Sequence, residues 1–217
     1  MYNDPVIITA TSTFAAGLAV LCIAYDNWGT NGADSFTGSV TDTRGNTWTA
    51  RRNVLRDPLG QEQGIVLRIF TTPQNGGLIQ NGDSISINID AIVDQGTHSA
   101  WTLYQVSRGS TVPSYVTGGT TSGASTSGTI TSGTISLGNV IIGATGIEQD
   151  DAVTADSDTT NGSWANTQTA LDNVGGANAS SIRISTQSKI VTAAATQTYN
   201  TSWATSTDYA MAWIEIG

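Results

Sequence analysis

One histidine, one cysteine and a thin scatter of carboxylates are all the reactive side chains this sequence offers. His98 lies in "DQGTHSAWTLYQV" at the mouth of a strand, so any Ser/His/Asp triad must use it, with Ser99 or a distant serine as nucleophile. No "GxSxG" elbow accompanies it, and the residue reads as a surface histidine beside a turn. Cys22 sits in the apolar run "GLAVLCIAY" and is expected to point into a core, which removes it as a partner for His98. A single His and a single Cys also exclude a zinc site. Glycoside hydrolysis needs two carboxylates facing each other across a cleft, and Glu62, Glu148 and Glu215 are the candidates. Glu215 alternates with Ile214 and Ile216 and is expected to face solvent or a neighbouring chain, with no second acid placed opposite it. The reading is that the chain is not an enzyme.

Binding chemistry has more to work with. The segment "EQDDAVTADSD" carries Asp150, Asp151, Asp156 and Asp158, and oxygen-rich loops of this kind hold calcium. The spacing is not that of a twelve-residue calcium loop, so the expectation is solvated loop acids and no cofactor, with calcium as the alternative. Of the six tryptophans, Trp101 and Trp213 lie in strongly apolar strands and are expected in the core, and Trp203 ends a strand. Trp28, Trp48 and Trp164 flank Gly/Asn turns, where a ring can stack on a sugar or anchor a partner. The densest basic stretch, Arg44, Arg51, Arg52 and Arg56, reads as a guarded strand edge or as an anchor for an acidic partner.

The elements that must position these residues are strands. Charged residues make up 12% of the chain and apolar ones 38%, with Gly, Ser, Thr and Asn filling the remainder and Lys189 the only lysine. Such a composition is poor in helix formers and too apolar for disorder. Alternation predicts strands at Val6–Ala10, Leu18–Tyr25, Thr47–Arg52, Ile65–Thr71, Ser84–Asp90, Ser99–Val106, Val140–Gly146, Ser181–Thr186, Thr198–Trp203 and Tyr209–Ile216. A formal charge of −9 argues against nucleic acid as a partner. No apolar run is long enough to span a bilayer as a helix, and "MYNDPVIITA" has no secretory character, so no membrane contact and no export are expected.

The second half of the sequence echoes the first. "TSTFAAGLAVLCIAY" lies over "SGTISLGNVIIGATG", matching Gly17 with Gly138 and Val20 with Ile141; further on, Trp48 matches Trp164 and Arg68 matches Arg183. The expectation is an all-β, jelly-roll-like β-sandwich, a single domain over residues 1–217, built from two diverged half-repeats of about five strands each. The halves would span 1–117 and 129–217. The Gly/Ser/Thr-rich run at 118–128 would be a mobile connection over one end of the sandwich, the chain entering a strand at Thr129–Leu137.

The order "GLAVLCIAY … VTDTRGNTWTA … IVLRIFTTP … GDSISINI … SAWTLYQVS", repeated down to "YNTSWATSTDYAMAWIEI", resembles β-sandwich modules of bacteriophage virion proteins and bacterial surface proteins. The resemblance implies a non-enzymatic structural protein located in the virion, foremost a capsid decoration or cement protein. It would act as a homo-oligomer, with a trimer favoured, on the major capsid protein or other virion proteins. Met1, Tyr2, Asn3, Asp4 and Pro5, with Arg51, Arg52 and Arg56, are the partner-binding candidates. The alternative is a tail-tip, fibre or other glycan-binding module using Trp28, Trp48 or Trp164.

Overall fold

The computed structural model describes residues 5–26, 38–58, 64–88, 99–107, 113–172 and 181–217, and every regular element among them is a strand. In chain order these are β1 (Val6–Thr9), β2 (Leu18–Asp26), β3 (Ser39–Asp42), β4 (Thr49–Arg56), β5 (Ile65–Thr72) and β6 (Ser84–Asn88). They continue with β7 (Ser99–Val106), β8 (Tyr115–Ile135), β9 (Val140–Ile147), β10 (Trp164–Asp172), β11 (Ile182–Ile190) and β12 (Ala195–Ile216). Three antiparallel sheets result, ordered β1-β6-β3, β4-β5-β2-β7 and β10-β11-β9-β12-β8. The fold is an all-β sandwich.

The second and third sheets carry the sequence repeat in their strand order. Exchanging β4 with β10, β5 with β11, β2 with β9 and β7 with β12 turns β4-β5-β2-β7 into β10-β11-β9-β12. The two sheets stack face to face, β10 and β11 over β7, β11 and β9 over β2, β9 and β12 over β5, and β12 over β4. The same exchange leaves this set of stacked pairs unchanged, which is the pattern a two-fold axis between β2 and β9 produces. Between the sheets lies one apolar layer, with Val20, Cys22 and Ala24 of β2 and Ile65, Leu67 and Ile69 of β5 on one side. Ile142 and Ala144 of β9 and Ala210, Ala212 and Ile214 of β12 face them.

Each main sheet also buries its other face, so β2 and β5 are buried at every position and read as near-continuous apolar runs, interrupted in β5 by Arg68, rather than alternating ones. In the first half the cover is the three-stranded sheet, which closes a second core around Ile8, Leu21, Ile23, Phe70, Ile85 and Ile87. In the second half the cover comes from the ends of two long strands. β8 has 21 residues and β12 has 22. A register break between Ser202 and Thr207 marks where the β8–β12 ribbon changes course. Residues 195–202 then lie over the sheet, and Tyr199 packs on Trp164, Ile141 and Met211 in a third core. Among the described residues seven strands fall in the first half and five, two of them double-length, in the second.

Two expectations need correction. The run at 118–128 is not a mobile connection but strand, paired with β12 through Trp213–Gly119, Tyr209–Gly123 and Thr201–Gly128. Its glycines make room for rings: a Cβ on Gly119 would stand 2.6 Å from the Trp213 indole nitrogen, and one on Gly123 3.2 Å from the Tyr209 ring. Aromatic side chains laid over glycine backbone are a known device for holding such strands. The overlay of Val20 on Ile141 is one residue out. Val20 faces the shared apolar layer while Ile141 faces the third core, and in a strand a one-residue slip exchanges the two faces.

Gly143 of β9 tests this packing. A Cβ there would lie 2.8 Å from the Tyr199 ring. Valine normally favours a strand over glycine. Gly143→Val is nevertheless expected to destabilise the protein by about 1–3 kcal/mol through overpacking, measured by urea unfolding. A neutral or stabilising result would mean that Tyr199 does not lie over β9.

Candidate functional site

The sequence candidates separate cleanly by position. Met1–Asp4, Trp28, Glu62 and His98 lie outside the described residues, and Pro5 is exposed just before β1. The basic stretch works inside the molecule. The guanidinium carbons of Arg51 and Arg52 stand 4.7 and 5.4 Å from the Tyr115 ring centre. Arg51 Nε donates to Thr71 Oγ1 at 2.8 Å, Arg52 donates to the Gly118 carbonyl, and Arg56 Nε meets Asp208 Oδ1 at 3.2 Å. The arginines of β4 therefore stitch the first half to β8 and β12, a job that cation–π and charge-assisted bonds do well. They are seam residues that stay half-buried.

Trp48 and Trp164 do not share a face. Trp48 packs against the core under the three-stranded sheet, and Trp164 is buried in the core under the ribbon, on opposite outer layers. Trp48 has a structural duty: its indole N–H donates to Asp42 Oδ2 at 2.7 Å. The same Asp42 carboxylate accepts the N–H of Arg44 at 2.9 Å, the N–H of Asn46 at 3.1 Å and the Asn46 amide at 3.0 Å. "DTRGNTW" is thus a self-capped turn, with Gly45 at φ 70° where a Cβ is disfavoured. Six residues likewise separate Asp158 from Trp164, and Asp158 Oδ1 accepts Thr160 N–H at 2.9 Å as Asp42 accepts Arg44. That shared Asp-to-Trp spacing was visible in the sequence and marks the same turn in both halves.

Among the described residues no three His, Cys, Asp or Glu side chains come together to hold a metal ion, the acidic loop included. The carboxylates of Asp151, Asp156 and Asp158 have other occupations. Asp151 accepts Thr205 N–H at 2.6 Å, and Asp156 accepts the N–H of Asp158 and of Asn200, both at 2.7 Å. Asp158 pairs with Lys189 at 3.0 Å, and the N–H of Thr160, together with that ammonium, holds its carboxyl at about 2. Asp150 offers its carbonyl to Arg183 at 2.7 Å. Glu215 is also unlike its expectation: it is buried, accepting from the Asn139 amide at 2.6 Å, because the last strand has both faces covered. Cys22 is fully buried as expected, its thiol pushed up to about 12 by desolvation.

Two features were not legible in the sequence. At the junction of the halves Glu148, at the end of β9, is buried beside Asp26, at the end of β2, and Asp208, at the bend of β12. Glu148 Oε2 accepts Gly64 N–H at 2.9 Å, while Oε1 has no hydrogen-bond partner among the described residues. Burial, then the charges of Asp26 and Asp208, push its carboxyl up to about 9, so it is a neutral acid at neutral pH. The second feature is a polar groove on the outer face of the β8–β12 ribbon. It has a volume of about 500 Å3, with Ser127, Thr129, Asp156, Ser157, Asn200 and Ser202 among its walls. A cleft of about 380 Å3 adjoins it, between Asp158 and Thr160 on one side and Thr196, Thr198 and Asn200 on the other. The groove and the cleft share Asp158 and Asn200.

No family model, curated protein or solved structure matches the chain.

Glu148 sets a pH dependence with a definite sign. Its folded pKa lies above its unfolded one, so the stability it allows is complete below about pH 4.5 and is lost as pH rises toward about 9. Across that window it lowers stability by up to about 1.4 kcal/mol per pH unit. Glu148→Gln is expected to remove this slope and to be the more stable protein at pH 8, as read from urea midpoints at several pH values. Parallel pH profiles for the two proteins would show that Glu148 is ionised in the fold.

Proposed function

We propose that the protein is a non-enzymatic structural component of a bacteriophage particle, of the capsid decoration or cement type, acting as a homo-oligomer on the major capsid protein. The family resemblance of the sequence supplies the particle. The observation that carries the structural role is how the charged side chains are spent. Arg51, Arg52 and Arg56 close the seam between the halves, Asp42 and Asp158 cap turns, and Glu148 and Glu215 are buried. Reactive groups committed to holding a fold together suit a load-bearing part better than a catalyst.

The shared apolar layer supports the same reading. Two sandwich units joined through it cannot swing on a linker, and a rigid body sums many weak contacts more effectively than a flexible one. The exposed side chains of β10 and of the ribbon are largely Thr, Ser, Asn and Gln, suited to broad hydrogen-bonded contacts. The glycan-binding alternative has less support, since Trp48 and Trp164 are held in separate cores and offer no common platform.

A density gradient of a lysate containing the assembled particles, with peptide counting for this chain in each band, tests the proposal. The expected result is co-sedimentation with the particle at a copy number comparable to the shell protein. A few copies per particle would move the chain to a tail or fibre position. Absence from the particle band would overturn the virion reading altogether.

A further inference from the structure

The two halves differ most at one strand edge. In the first half β6 is the centre of its sheet, with β1 on one side and β3 on the other. Its rungs to β3 run Asn88–Ser39 and Ser86–Thr41, and Thr43 N–H then donates to the Ser84 carbonyl at 3.1 Å. The equivalent segment of the second half, residues 195–202, has β8 on one side. On its other side only the first rung is repeated, as the Thr154–Ser202 bridge. At the second rung the Asp156 carboxylate stands where a strand would, accepting Asn200 N–H at 2.7 Å. By the third, at Thr198, the chain has turned away: Asp158 folds back on Thr160 and Lys189. The space left is the cleft of about 380 Å3.

Strand geometry fixes what this edge presents. Ser202 sends both its N–H and its carbonyl to the Thr154 side. In a regular strand the alternate positions Asn200, Thr198 and Thr196 point their backbone groups the same way. Among the described residues no strand pairs with residues 196–200 on that side.

We propose that the cleft is a strand-addition site, which takes an extended segment of a partner protein antiparallel to residues 196–200, in the slot that β3 fills in the first half. Main-chain hydrogen bonds to Thr198 and Thr196 supply the affinity, as in other cases where a peptide extends a sheet. Small and β-branched side chains fit between the threonines of the walls. A Lys or Arg fits opposite Asp158, whose carboxylate is about a third exposed. An acidic segment is repelled by Asp158 and by the net charge of the chain. No aromatic ring lines the cleft, so the stacking surface on which sugar recognition usually depends is missing and a polypeptide is the favoured occupant. The inference goes beyond the particle reading and does not require it.

The test is an amide NMR titration of the full-length chain with a blocked synthetic peptide of sequence Ser-Val-Thr-Lys-Thr. This is the β3 sequence and the residue after it, with lysine in place of the aspartate. Saturable shifts centred on Thr196, Thr198 and Asn200 are expected, with slowed hydrogen exchange of the Thr198 amide. The same peptide with glutamate for lysine is expected to bind several-fold more weakly. Thr198→Pro removes the central donor from the edge and is expected to lose the response; because that variant can also fail to fold, the titration of the unaltered chain is decisive by itself. Amides at residues 196–200 unmoved by millimolar peptide, or moved no more than the rest of the surface, would overturn the proposal. Movement of the same amides by oligosaccharides and not by the peptide would overturn it equally, in favour of a glycan site.

Discussion

Everything in this molecule depends on one apolar layer, formed where β2 and β5 of the first half meet β9 and β12 of the second. Its middle is built from small residues, Ala24, Ala144, Ala210 and Ala212, so the sheets approach closely. At Gly146 a single added Cβ would stand 2.8 Å from that of Ala24. The layer holds a hydrogen-bonded chain of hydroxyls. Tyr104 Oη donates to the Asn166 carbonyl at 2.7 Å and lies 2.9 Å from Thr186 Oγ1, which lies 3.0 Å from Thr102 Oγ1. Hydroxyls linked this way avoid the cost of burial without a partner and tie β7 to β10 and β11. Desolvation by the same layer pushes the Cys22 thiol up to about 12 and leaves it without reactivity.

Because the shared layer occupies one face of each main sheet, function is confined to the outer layers, to the loops and to the seam. There the repeats have diverged. The first half closes its outer layer with a full three-stranded sheet. The second closes it with a folded ribbon and leaves the β12 edge partly open. The divergence is visible in single residues. Asp42 Oδ2 caps the indole of Trp48, whereas Asp158 Oδ2 takes the ammonium of Lys189, which is buried 5.6 Å from the ring centre of Trp164. The lone lysine of the chain thus replaces an indole hydrogen bond and fixes the loop at 158–160 away from the strand edge.

The sequence revealed the strands that bury apolar side chains in runs or in alternation, and it revealed the duplication. β2, β5, β7 and β9 stand within a few residues of their expected bounds. What it concealed has a common cause. β8 is nearly devoid of large side chains, because the rings that pack on it belong to β12, so its own residues carry no periodic signal. β3 and β10 are short or polar-faced and were passed over for the same reason. The arginines looked like a surface patch because the acceptors of Arg52 and Arg56, Gly118 and Asp208, lie across the sandwich in the other half of the chain. Glu148 looked like any loop acid, since only the fold brings Asp26 and Asp208 beside it. The match of Trp48 with Trp164, by contrast, was legible, and the structure places an aspartate six residues before each.

The central claim is that the apolar layer makes the two halves one cooperative unit, and native-state amide hydrogen exchange tests it most directly. Amides of Cys22 in β2 and Ala144 in β9 are predicted to exchange only through global unfolding. They would share one opening free energy, equal to the value from urea denaturation. Exchange of either half's central strand at a clearly lower free energy than the other's would show that the halves open independently, and would contradict the account.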